Sequence, residues 1–443
     1  MSSIAEKIAS SISMTDLKKS SALKQRIFFT IMVLIIYRVG SFIPLPGVDA
    51  SALKELFSGE GSGLLDIFNS FTGGALSRMT IFALNIIPYI SASIIMQMMT
   101  FVTPSLSQLR KEGPSGQQKI NQYTRYLTIL ICLIQGYGMA MGLMATEGAV
   151  INPGGFFIFS TMVSLLAGTM LVMWMGEQIT IKGIGQGSSL IIFAGIITTF
   201  PTRFMQLTQL ANVGQIQPIT LMAIIAGILA LFYVTVFVEM AQRRISIHYP
   251  KRANMMGNQN MTHMPLKLNL AGVLPPIFAQ SLVGIPALIA TFLSKAGVQS
   301  NSLQLVNSFL QIGSLTYIIV VGLLIVFFSF MFASLHFNPE ETAENLKDSG
   351  AFIPGIRPGE STAKYFDYIT TRLTVFGAGF LAVICLLPDY VTGNFGVMLI
   401  SGTGLLIIVN VIMETISQIQ SHLISSQYEA IMKSAGKQKR RFR

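Results

Sequence analysis

The sequence predicts an all-α polytopic membrane protein of ten transmembrane helices, arranged as two inverted pseudo-symmetric halves (spans 1–5 and 6–10) with a short re-entrant helix. Three observations predict it. Of 443 residues, 51% are hydrophobic and only 11% charged, against about 25% charged in soluble domains. Surface that apolar must face lipid. Ten apolar stretches follow one another, each close to the length that crosses a bilayer. Finally, 25 of the 30 Lys and Arg residues fall on alternate connecting segments.

The stretches are 27–43, 79–102, 126–145, 156–175, 184–201, 218–240, 270–293, 314–335, 373–390 and 395–415. The first follows a polar segment carrying Lys7, Lys18, Lys19 and Lys24. No small-residue cleavage site follows it, so it is expected to stay as a span. The fifth and ninth are short. The fifth opens on Gly183, Gly185 and Gly187, so its first turn is expected to be irregular. Between the first two spans, positions 64, 67, 68 and 71 of segment 63–74 share one helical face. That segment is too short to span and reads as a re-entrant or interfacial helix. Glycines at 59, 61, 63, 73 and 74 suit a movable element. A plain outer-surface helix is the alternative.

Orientation follows from the basic residues, which accumulate on the cytoplasmic side. Segments 1–26, 103–125, 176–183, 241–269, 336–372 and 416–443 hold the 25, so both termini are expected in the cytoplasm. The remaining five are Arg38, Lys54, Arg78, Arg203 and Lys295. This bias accounts for most of the net charge of +11. The chain accordingly divides into 1–210 (spans 1–5 and the short helix), 211–269 (span 6 and a cytoplasmic loop), 270–415 (spans 7–10 with loop 336–372) and a basic tail, 416–443.

The spans carry almost no ionisable groups away from their ends. Arg38 can snorkel outward; Glu239 and Glu414 lie at cytoplasmic ends; His248, His263, His336 and His422 lie in or beside cytoplasmic segments. A proton-coupled transporter needs titratable groups near the midplane, and a secondary transporter with inverted repeats, the rival reading, needs a polar site there. Cys132 and Cys385, far apart in apolar runs, read as small core residues, not as a disulfide or metal site. Gly183-Ile184-Gly185-Gln186-Gly187 has the glycine spacing of a phosphate loop but follows no strand and leads into a membrane helix. The expectation is a channel without enzymatic activity, cofactor or metal.

One element repeats. Ile87-Pro88-Tyr89-Ile90-Ser91-Ala92-Ser93 and Leu274-Pro275-Pro276-Ile277-Phe278-Ala279-Gln280 share the pattern aliphatic-Pro-x-Ile-x-Ala-polar. Five spans separate them, so they run in opposite directions, as in an inverted-topology repeat. Pro88 and Pro275 are each expected to remove a helix hydrogen bond and permit a bend; ordinary membrane-helix prolines are the alternative.

These residues resemble the SecY family, channel subunits of the bacterial Sec protein-translocation machinery. The resemblance runs nearly the whole length: Ser41-Phe42-Ile43-Pro44-Leu45-Pro46-Gly47, Gly73-Gly74-Ala75-Leu76-Ser77-Arg78, Pro88-Tyr89-Ile90-Ser91-Ala92-Ser93-Ile94, Gly176-Glu177-Gln178-Ile179-Thr180, Gln242-Arg243-Arg244-Ile245, Asn338-Pro339-Glu340, Ser349 through Gly359, and Ser425-Ser426-Gln427-Tyr428-Glu429. It implies a hinged two-half channel that passes unfolded secretory proteins and releases apolar segments sideways between spans two and seven. Position by position it implies a pore ring of Ile86, Ile90, Ile192, Ile277 and Ile407. It implies a plug bearing Leu64, Leu65, Ile67, Phe68 and Phe71, and a lateral gate including Ser93, Gln97, Pro275 and Gln280. Motor and ribosome contacts would fall on Arg243, Arg244, Lys251, Arg252 and Arg357. The first four of these read as one basic cluster, and Arg357 as the tip of a Pro-Gly turn. Implied partners are the SecE and SecG subunits, the SecA ATPase, the ribosome, signal peptides and unfolded preproteins. The tail residues Lys437, Lys439, Arg440, Arg441 and Arg443 suit anionic lipid or RNA. The implied location is the bacterial inner membrane. Gln186, Ser188 and Gly404 depart from the family pattern, where Asn, an aliphatic residue and Ser are usual.

Overall fold

The computed structural model describes residues 21–49, 63–144, 148–214, 217–248, 262–295, 314–395 and 400–441. Its helices are α1 (Ser21–Gly40), α2 (Gly63–Phe71), α3 (Ile87–Val102), α4 (Pro104–Lys111), α5 (Pro114–Met144), α6 (Gly155–Lys182), α7 (Gly187–Asn212) and α8 (Pro218–Met240). After strands β1 (Gln242–Ile247) and β2 (Thr262–Lys267) come α9 (Leu274–Lys295), α10 (Leu315–His336), α11 (Pro339–Asp348), α12 (Glu360–Phe395) and α13 (Gly402–Arg441). Each of the ten apolar stretches carries a helix. Seven described helices are long and apolar enough to cross a membrane, eight if α3 and α4 count as one span broken by a 101° bend. Helix α1 is not among them, because any 18 consecutive residues of its 20 include Lys24, Arg26 and Arg38.

The chain forms two compact units. The first gathers the residues up to Thr199 with the helix from Asn410 onward; the second runs from Phe200 to Ser294 and on to Val409. In the first unit α5 and α6 pack side by side. Cys132 donates to Thr169 Oγ1 at 3.6 Å, and Arg125 forms a bidentate ion pair with Glu177 at 2.7–2.8 Å. The glycine-rich joint between α6 and α7 is irregular, as expected. Gly185 takes φ +88°, and side chains tie the joint down: Ile184 N–H donates to Thr30 Oγ1 (3.0 Å) and Gly185 N–H to Gln418 Oε1 (2.7 Å).

The sequence misplaces the start of the second span. Residues 73–86 are not helical, and α3 begins at Ile87. Met79 (φ +42°) and Asn85 (φ +49°) occupy the left-handed region, where an α-helix cannot continue. The apolar run from Met79 to Ile86 marks burial rather than helix. Phe82 stacks on Tyr37 at 5.8 Å, and Gly168 of α6 lies so close to the Ile81 carbonyl that a Cβ there would collide with it.

Pro88 and Pro275 do not bend their helices either. Each is the second residue of its helix, in the first turn, where backbone N–H groups have no helical partner to lose. They start α3 and α9 rather than kink them. The repeated pattern thus aligns two helix starts, with Ile90 and Ile277 both fourth residues.

In the second unit α8 is apolar on every face and mostly exposed, as a lipid-facing helix must be. The chain is not purely α-helical. β1 and β2 form an antiparallel hairpin with Gln242 opposite Lys267 and Ile247 opposite Thr262. A bridge between His248 and Phe352 extends it to the turn after α11. Ile245, Ile247, Leu266, Leu346, Ile353 and Phe366 share one buried core. The two loops expected at 241–269 and 336–372 therefore fold as one body. Alternating Ile245 and Ile247 carried the signal for β1, but two residues flanked by arginines are too short a pattern to read as a strand.

Candidate functional site

The short helix α2 is the element whose surroundings are most fully defined. It ends in a Schellman cap: Gly74 N–H donates to Asn69 C=O (2.9 Å) and Gly73 N–H to Ser70 C=O (3.2 Å). Gly73 and Gly74 sit at φ +68° and +81°, which this cap requires of a residue without a side chain. These two glycines end the helix and set the direction in which the chain leaves it. Gly59 and Gly61 lie outside the described residues.

Around that stop several polar groups find partners on other elements, although Asn85 Oδ1 is buried with no hydrogen-bond partner among the described residues. Arg38 of α1 donates to Gly73 C=O at 2.9 Å, and Arg78 donates to the same carbonyl at 3.0 Å and to Gly74 C=O at 3.0 Å. Both guanidiniums also lie over the Phe42 ring, at 4.8 and 4.3 Å. Two cations at a helix C-terminus are favoured by its partial negative charge. Asn85 donates to Phe71 C=O at 3.0 Å, Asn69 Oδ1 accepts from Ser77 N–H at 2.9 Å, and Ser70 Oγ meets Thr199 Oγ1 at 3.3 Å. Gly195 of α7 approaches so near that a Cβ would collide with the Phe71 carbonyl. Ile67, Phe68 and Phe71 are buried; the side chains of Leu64 and Leu65 lie outside the described residues.

Arg38, Arg78, Asn85 and Gly195 were not read as site residues. The signal for the two arginines was their place among five basic residues on the sparsely charged side. Nothing in the sequence marks Asn85 or Gly195, because their role depends on where 73–86 folds back.

The five isoleucines fall three in one unit and two in the other. Ile86 immediately precedes α3 and is buried; its carbonyl accepts from Ile90 N–H at 3.0 Å, so the two stack one turn apart. Ile192 of α7 and Ile407 of α13 are buried, whereas Ile90 and Ile277 remain half-exposed. Gln186 precedes α7 and caps it locally: its carbonyl accepts from Leu190 N–H and its side chain from Ser189 Oγ, both at 3.0 Å. Ser188 is half-buried in the first turn of α7, and Gly404 is buried.

On α3, Gln97 Nε2 donates to Ser93 Oγ at 3.4 Å, one turn away. On α9, Pro275 is buried, and so is Gln280, whose Oε1 has no hydrogen-bond partner among the described residues. A buried amide oxygen left unpaired costs about 1–3 kcal/mol.

The basic residues are not brought together as one cluster. Arg243 and Arg244 are adjacent in β1, so strand alternation sends them to opposite faces of the hairpin. Both are exposed. Lys251 and Arg252 lie outside the described residues, as do the side chains of the basic tail. Arg357 is exposed in the turn before α12; its carbonyl accepts from Thr362 Oγ1 at 3.0 Å, and Gly355 and Gly359 flank it at positive φ.

The SecY family model matches residues 80–416. The protein translocase subunit SecY of Rickettsia bellii is 47% identical over 423 residues, covering 94% of this chain and 97% of the relative. Among solved structures, a protein-conducting channel superposes with a TM-score of 0.68 at 18% identity, covering 93% of this chain and 95% of the other. A second, with a TM-score of 0.67, 18% identity and the same coverage, is of a SecY protein whose plug domain stabilises the closed translocation channel and maintains a membrane seal. With more than half its length matched by the family model and a relative nearly half identical end to end, this chain belongs to the SecY family.

Proposed function

We propose that this chain is the central protein-conducting channel of a Sec translocon, passing unfolded secretory proteins across the bacterial inner membrane and releasing transmembrane segments sideways into lipid. The observation that carries this is the end-to-end identity to a SecY translocase subunit. The physical chemistry agrees. A translocating chain is arbitrary in sequence, so its channel must not hold groups that grip one composition. Ile86, Ile90, Ile192, Ile277 and Ile407 supply a constriction that deforms around side chains and dewets when narrow. Helix α2 acts as the plug of the resting channel, and α3 and α9, with Ser93, Gln97, Pro275 and Gln280, form the exit to lipid.

Ten spans with both termini in the cytoplasm follow from the charge bias. The body built on β1, β2 and α11 then faces the cytoplasm. Arg243, Arg244 and Arg357 suit contact with ribosomal RNA phosphates or a motor ATPase, with SecE- and SecG-type subunits completing the channel. Energy comes from such a motor or the ribosome; ATP hydrolysis by the purified chain alone would sink this reading. The deciding experiment stalls a secretory chain in the translocon and places a photo-crosslinking residue at Ile90 and at Ile277. Both are expected to capture the nascent chain. Failure of both, with capture elsewhere in the membrane, would refute the pore assignment.

A further inference from the structure

A buried carboxylate in the second unit has no part in the reading above. Asp389 lies near the end of α12 and is 1% exposed. An unpartnered carboxylate so buried costs several kcal/mol, so its surroundings must compensate. Tyr317, in the first turn of α10 and fully buried, donates its hydroxyl to Asp389 Oδ2 at 3.5 Å. Gly402, first residue of α13, places its backbone N–H near the same carboxylate, whose Oδ1 has no hydrogen-bond partner among the described residues. Asp389 thus joins three helices and sits at the positive end of α13.

The backbone explains why this corner exists. Pro388 lies inside α12 and has no N–H, so the carbonyl of Ile384 one turn earlier loses its helical donor. That carbonyl lies directly against Gly402, where a Cβ would collide with it and with Cys385. The start of α13 presents the complementary surplus, N–H groups without helical acceptors. One of them is met locally, Gly404 N–H by Ser401 Oγ at 3.1 Å. A proline-freed carbonyl and a bare helix start thus meet at a glycine, and Asp389 and Tyr317 close the contact. Ile407 follows Gly402 by little more than one helical turn.

We propose that Asp389 is a positioning residue that fixes the start of α13 and, through it, the place of Ile407 in the resting constriction. The inference rests on Ile407 belonging to that constriction. The test uses the complete translocon in planar bilayers, comparing resting ion leak for D389A, D389N, Y317F and I407S. D389A is expected to raise the leak about tenfold, the effect of about 1.4 kcal/mol. D389N, which keeps an acceptor of the same size, stays within about twofold of native, and Y317F falls between, on the same energy scale. A second readout separates positioning from general weakening. In an I407C background, D389A speeds thiol modification at 407, whereas I369A, in the distant cytoplasmic core, does not. Native leak in D389A while I407S leaks would overturn the positioning role and leave the ring intact. Native leak in I407S would overturn the assignment of Ile407 itself. Equal leak in D389A and D389N would show that the carboxylate's acceptor is irrelevant and would also overturn the proposal.

Discussion

Gly195→Ala should unseat the plug without touching the pore ring. The added methyl meets the carbonyl oxygen of Phe71, with Phe71 C at 3.1 Å and Gly73 N at 3.2 Å close behind. All three are backbone atoms, so no side chain can swing away. Overpacking of this kind costs about 1–3 kcal/mol. The shift that relieves it draws Phe71 C=O from Asn85 Nδ2, now at 3.0 Å, and losing that bond adds about 1 kcal/mol. Together these come to about 2–4 kcal/mol, or roughly a 30-fold to several-hundred-fold change in the seated-to-unseated ratio. The assay is resting conductance of the reconstituted translocon, with thermal melting as a check on folding. Asn85→Ala should move conductance in the same direction by a smaller amount, since it loses the bond but adds no clash. Native conductance in a folded Gly195→Ala protein would refute the idea that α2 seals by its seat against α7.

Four further outcomes are expected. Ile90→Ser and Ile277→Ser should each raise resting ion leak, and unchanged conductance in both would count against the ring. Arg78→Ala removes the bonds to Gly73 and Gly74 carbonyls and should raise leak about tenfold or more, since charged hydrogen bonds contribute about 1.5–3 kcal/mol; Arg78→Lys should not restore the seal, because one ammonium cannot reproduce the planar fork over Phe42. Arg357→Glu should weaken ribosome binding and flatten its salt dependence by about one unit of log–log slope, measured by co-sedimentation across a salt series. Ile245→Ala should destabilise the cytoplasmic body by about 2–5 kcal/mol, seen as faster proteolysis there while the membrane spans stay protected.

The spans were legible because lipid imposes a one-dimensional rule: a long apolar run must be a helix that satisfies its own backbone. The rule fails where apolar residues are buried in protein instead. Met79 through Ile86 reads as the front of a span by composition, yet its backbone turns at Met79 and Asn85, and Asn85 Nδ2 donates to the Phe71 carbonyl fourteen residues back. Proline misleads in the same way. Pro88 and Pro275 signal a bend only if the helix already runs past them, and the sequence does not say where the helix begins. The body built on β1, β2 and α11 escaped for a different reason. Its core is assembled from two loops nearly a hundred residues apart, and neither loop alone carries a complete apolar face.

The same distinction explains how a channel can be sealed and still be opened by many sequences. In the proposed ring, isoleucines would yield to any passing chain, because dispersion and exclusion of water are forces without direction. The C-terminal end of α2 is held otherwise, by two arginines on the Gly73 carbonyl, an asparagine on the Phe71 carbonyl, and a glycine that lets backbones touch. Directional contacts of that kind break over a short displacement and re-form only in one register. As the proposed plug, a helix so anchored at Gly73 is expected to pivot about its C-terminal end rather than slide, unless every bond at that end breaks together. Pivoting predicts that a cysteine crosslink between α1 and residue 73 leaves translocation intact, whereas one that fixes Ile67 to its closed-state neighbours blocks it. Blockage by both would mean that the whole helix departs.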